Sequence, residues 1–148
     1  MDKTGLTPAD REDLRAISAE IVPASSDYAV PGADDPAIQA DVLATLGRDA
    51  ALVREALEQV RAMAGGSFSA LAPSRREAVA MALREAGGKP VATLARVVLQ
   101  CYYRDDRVLR SLGLEPRAPF PMGNVLQDGD WSLLDPVRAR VPFWRRVG

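Results

Sequence analysis

Residues 90–103, PVATLARVVLQCYY, are apolar around almost their whole length, with only Thr93, Arg96 and Gln100 interrupting. A helix of this kind is stable in water only when neighbours cover most of its circumference. It is too short to cross a bilayer, and Arg96 sits in its middle, so it reads as the central helix of a soluble core. The rest of the fold must therefore supply elements that surround it.

Those elements are announced by helix-start and helix-stop signals. Thr7-Pro8-Ala9-Asp10 offers a capping hydroxyl, a proline at the first helical position and an acid in the first turn. Leu14, Ile17 and Ile21 follow at helical spacing, and Pro23 predicts a stop near Val22. Ser25, Ser26, Tyr28, Pro31 and Gly32 mark a loop. Asp34-Asp35-Pro36 repeats the start signal ahead of Ile38, Val42 and Leu46, so the paired aspartates read as caps rather than as a catalytic dyad. Gly47 breaks the pattern before Leu52, Ala56, Val60 and Met63 resume it, and Gly65-Gly66 ends it.

A short turn of helix over residues 67–71 is expected to place Phe68 and Leu71 in the core. Ser74-Arg75-Arg76-Glu77 has capping-box spacing and predicts a helix carrying Val79, Ala82, Leu83 and Ala86 on one face, up to Gly87-Gly88. After the central helix, Asp105-Asp106 caps one more short helix through Val108, Leu109 and Leu112, closed by Gly113. No segment alternates apolar with polar residues over a strand's length. The prediction is an all-α fold: an irregular bundle of five or six short helices over residues 1–113, followed by an extended C-terminal tail over residues 114–148.

Composition removes several functions. The net charge of -1 lacks the basic footprint of a nucleic-acid binder. Histidine is absent, which takes away the usual general base, zinc ligand and haem ligand together. The single cysteine, Cys101, lies in the most apolar helix and reads as a small buried hydrophobe. The opening residues show no basic stretch followed by an apolar run, which predicts a cytoplasmic protein without direct membrane insertion. Tyr102-Tyr103-Arg104-Asp105-Asp106 is the densest polar and aromatic cluster, but no base accompanies it. The expectation is that the phenol rings seal the bundle while arginines pair with Asp105 or Asp106, and that no residue is catalytic.

The tail carries the positive signal. It holds both tryptophans, Trp131 and Trp144, together with Phe120, Phe143, five prolines and five arginines. Aromatic residues and arginine are enriched in interface cores, and proline lowers the entropy lost when a strap docks. Own-core packing and docking on a partner are both open to it. The candidate partner-binding residues are Tyr102, Tyr103, Arg104, Phe120, Trp131, Leu134, Phe143 and Trp144.

In the order and spacing of several segments the chain resembles the gluconate 2-dehydrogenase subunit 3 family. These segments are Leu6-Thr7-Pro8, Ile21-Val22-Pro23-Ala24, Val30-Pro31-Gly32-Ala33, Tyr102-Tyr103-Arg104-Asp105-Asp106-Arg107-Val108 with Leu112-Gly113, Pro119-Phe120-Pro121, and residues 131–136. The resemblance implies a small subunit without a cofactor of its own. Its partner would be a large flavoprotein of the glucose-methanol-choline type that holds FAD and oxidises a sugar or an alcohol, and some complexes of the family add a cytochrome. Exported members often begin with a twin-arginine signal, which the opening Met1-Asp2-Lys3 does not resemble.

Overall fold

The computed structural model describes residues 5–116, 123 and 128–141. Its backbone contacts divide the chain into one unit of residues 1–116 and another of residues 117–148. Helices are the regular elements of the described residues, with no strand among them, so the fold is all-α. The first unit contains α1 (Pro8–Ile21), α2 (Pro36–Thr45), α3 (Ala50–Ala64), α4 (Pro73–Ala86), α5 (Lys89–Tyr102) and α6 (Asp106–Ser111).

Local signals place most of the boundaries. The Thr7 hydroxyl accepts from the Asp10 amide at 3.1 Å while the Asp10 carboxylate accepts from the Thr7 amide at 2.7 Å, a complete capping box. Asp35 caps α2 by accepting from the Ala37 amide at 2.9 Å. A 3-10 turn, Gly47–Asp49, links α2 to α3, and α3 ends on Gly65 in the left-handed region at φ 73°. Two expectations are corrected here. The Ser74 capping box does not form: α4 starts two residues earlier than that box implies, at Pro73, with Ala72 as an N-cap that makes no side-chain bond. Proline at the first position needs no amide partner and arrives with helical φ, so it sets the start ahead of the serine. Residues 67–71 form turns rather than helix, although Phe68 is fully buried as expected.

The core runs through Leu14 and Ile17 of α1, Ile38 and Val42 of α2, Val53, Leu57 and Val60 of α3, Val79 and Leu83 of α4, and Leu94, Val97 and Val98 of α5. The broadest helix-to-helix contact is between α3 and α5, and α5 also packs on α2 and α1, so the apolar helix is central. Its cover is less complete than the sequence suggests. Ala92, Arg96 and Gln100, spaced by one turn, form an exposed stripe, along which Arg96 donates to Gln100 at 3.0 Å and pairs with Asp49 at 2.8 Å. On α4 only Val79 and Leu83 are buried; Ala82 and Ala86 face out.

The described part of the second unit is not wholly extended. Asp130 accepts from the Ser132 amide at 3.1 Å and opens a 3-10 turn, Trp131–Leu134, that runs into α7 (Asp135–Arg138), with Pro136 in its first turn. An aspartate cap followed closely by Asp-Pro is a helix-start signal in its own right, which the tail's sparse apolar pattern conceals.

Candidate functional site

The cluster at the end of α5 is built as a set of clamps. Tyr102 closes the last turn of α5 and is only 4% exposed, and Tyr103 crosses it edge-on with centroids 5.2 Å apart. Tyr102 therefore belongs to the core and leaves little surface for a partner, while Tyr103 is 53% exposed. Burial, with Tyr103 and Asp105 nearby, pushes the Tyr102 phenol up, so it stays protonated at neutral pH.

Each arginine of this end has a carboxylate. Arg104 grips both oxygens of Asp41 on α2 through Nε and Nη2, and Nη2 also donates to the Thr45 hydroxyl at 2.5 Å. Arg107 donates to both oxygens of Asp35, at 3.0 and 2.8 Å, and to both oxygens of Asp105, at 3.0 and 2.9 Å. Hydrogen bonds from Arg107 hold the Asp35 and Asp105 carboxyls below the usual carboxylate range. Arg110 pairs with Asp106 at 3.1 Å one turn on. The expected pairing with Asp105 and Asp106 is present for Arg107 and Arg110, whereas Arg104 reaches back across the bundle to α2. These forks tie α2, α5 and α6 together and leave no free arginine aimed at an anion in the cluster.

Cys101 is 1% exposed, and burial, followed by the Asp41 charge, pushes its thiol up, away from the reactive thiolate. Among the described residues no group of three carboxylate or thiol side chains is placed to hold a metal ion. No described helix is long and apolar enough to cross a membrane. The geometry of this end of the bundle binds helices to each other.

The second unit presents a different surface. Trp131 is 67% exposed and Leu134 is 40% exposed; they lie three residues apart on a 3-10 turn and so share a side. Leu133 at 73% and Val141 at 83% are more exposed still, and Val137 on α7 is also open. Leu133 escaped the sequence reading as a site residue, although its place beside Leu134 between two acids was visible. Phe120, Phe143 and Trp144 lie outside the described residues.

Comparison with known proteins adds no relative. No family model, curated protein or solved structure matches the chain. The functional reading therefore rests on these surfaces.

A further feature of the first unit has no counterpart in the candidate residues. An apolar groove of about 740 Å³ runs between α1, α4 and α5, floored by Ile17, Leu83 and Leu94 and edged by Ile21, Met81 and Leu99. Its lining is mostly apolar, and its volume falls in the range of small-molecule clefts. Met81 lies outside the stripe that helical spacing assigns to the core side of α4, which is the one sequence signal that could have found it.

Proposed function

We propose that this chain is a non-catalytic small subunit that stabilises, or assists the folding of, a large FAD-dependent oxidoreductase of the glucose-methanol-choline type, in the cytoplasm. The partner would hold the flavin and oxidise a sugar or an alcohol. The observation that carries the reading is the set of exposed apolar side chains on one short turn, Trp131, Leu133 and Leu134, with Val137 next to it on α7. Side chains of this size gain roughly 1.5–3 kcal/mol each when fully covered, which favours a partner surface over water. The ion-paired cluster at the end of α5 supports the non-catalytic part of the reading.

The test is co-expression with a candidate large flavoprotein of the glucose-methanol-choline type, followed by purification through a tag on the small protein. Full-length chain should bring down flavin absorbance in fixed proportion, and a form ending at Pro116 should stay helical yet lose it. A truncated form that retains the flavoprotein would remove the second unit from the interface, and a full chain that retains none would refute the subunit reading. The groove between α1, α4 and α5 favours a second reading, a self-contained helical binding or scaffold protein; such a chain would purify as a well-behaved species without any yellow partner.

A further inference from the structure

The groove wall contributed by α4 has an internal symmetry. Glu77, Ala80, Met81 and Arg84 line it together, and their spacing places all four on one face of the helix. The order along that face is acid, small apolar, large apolar, base. Glu77 and Arg84 lie equally far, on opposite sides, from the midpoint between Ala80 and Met81, so the face is self-complementary when a second α4 runs antiparallel to it. In that arrangement Glu77 of each helix meets Arg84 of the other, and Met81 of each meets Ala80 of the other.

Among the described residues nothing already uses these groups. Both charged side chains are exposed, and neither forms an ion pair among the described residues. Met81 is 50% exposed, with the groove's half-buried Ile21, Val91 and Leu99 nearby to receive a side chain of its size. α4 is also the long helix of the bundle with the fewest buried residues, only Val79 and Leu83, so its outer surface is free to be covered.

We infer that this face is a two-fold self-association surface: the groove of one copy receives Met81 of a second copy, with two symmetry-related Glu77–Arg84 pairs setting an antiparallel register. A two-fold interface uses the same patch twice, so each complementary contact found in one helix counts twice in the dimer. The opposite charges select the antiparallel pairing, because a parallel pairing would set Glu77 against Glu77 and Arg84 against Arg84. The inference is independent of the flavoprotein reading, since it uses only the first unit.

The experiment is sedimentation equilibrium of the full chain over a range of concentrations, with wild type, E77R, R84E and the double variant E77R/R84E. Wild type should show a concentration-dependent dimer. Each single reversal places like charges opposite each other at both symmetric contacts and should raise Kd about tenfold or more. The double variant should recover the wild-type Kd. An equimolar mixture of E77R with R84E should form a heterodimer, because one chain then presents a base at both positions and the other an acid at both. Both positions are on the surface, and circular dichroism of each variant verifies that the helices remain. A monomer at every concentration, a dimer indifferent to the single reversals, or a mixture that fails to pair would each overturn the assignment.

Discussion

Arg61 on α3 holds Asp13 on α1 with Nε 2.7 Å from Oδ2, and that carboxylate is 1% exposed. The other Asp13 oxygen accepts from the Ser69 amide at 2.9 Å and the Ser67 hydroxyl at 3.3 Å. Arg61 Nη2 also lies 2.6 Å from Asp10 Oδ1, an ionic contact outside hydrogen-bond geometry. One buried acid thereby joins α1, α3 and the turn leading to α4.

Breaking this pair leaves a buried charge without its counterion. Arg61→Met is expected to cost about 3 kcal/mol, since Arg61 is partly exposed and the low end of the buried-pair range applies. Asp13→Asn should cost less, because the amide oxygen still accepts from Ser69. The double variant should cost less than the two singles added, a coupling that urea unfolding of all four proteins would measure; strict additivity would show that the contact contributes nothing.

Acidification is expected to destabilise the bundle late. Asp10 feels burial, which raises its pKa, but the Thr7 amide and hydroxyl and Arg61 together outweigh it, so the net shift is below the ordinary 3.8. Asp35 and Asp105 are held low by Arg107. A depressed folded pKa gives stability that is present above the unfolded value and lost as pH falls through the folded one. Thermal melting should change little between pH 5 and 8, where no histidine titrates, and fall below about pH 4. A midpoint that dropped between pH 7 and 5 would contradict this.

Gly32 has no room for a side chain. A Cβ there would lie 2.9 Å from the Ala24 amide nitrogen and closer still to Asp34 Oδ1; the carboxylate can swing away, the backbone cannot. Gly32→Ala is expected to cost about 2 kcal/mol in chemical denaturation, through overpacking of the loop that Ser25 and Val30 close. Unchanged stability would mean that the loop yields.

Phe68 is fully buried although it sits in a turn. Phe68→Ala should remove about 3–5 kcal/mol, as much as a core helix position, and a loss under about 1 kcal/mol would show that the turn is not part of the core.

The Cys101 thiol should be inert toward a disulfide reagent in the native protein and react fully in denaturant. Fast native labelling would contradict its burial.

The start of α1 at Thr7, of α2 at Asp35 and of α6 at Asp105, and the ends at Gly65 and Gly113, were all legible because a cap is an interaction between residues a few positions apart. The reading failed at α4, where a serine and a proline competed for the same helix start, and at residues 131–138, where an aspartate cap formed helical turns without an apolar stripe. On α3 the buried line runs through Val53 and Leu57 as well as Ala56 and Val60, while Leu52 and Met63 lie on its flank. Spacing gives a helix an apolar side, and the neighbours decide where that side is centred.

Partners across the bundle were not legible at all. Arg61 meets Asp13 across 48 positions, Arg104 meets Asp41 across 63, and Arg107 meets Asp35 across 72. The amino-acid sequence by itself determined the all-α class, the helix order and most helix ends, because those depend on local hydrogen bonding and on apolar periodicity. Only the tertiary structure decided which carboxylate each arginine holds, that Tyr102 is core while Tyr103 is surface, and that α1, α4 and α5 leave an apolar groove between them. Those outcomes depend on how helices pack, and packing brings together side chains whose separation along the chain carries no trace of their contact.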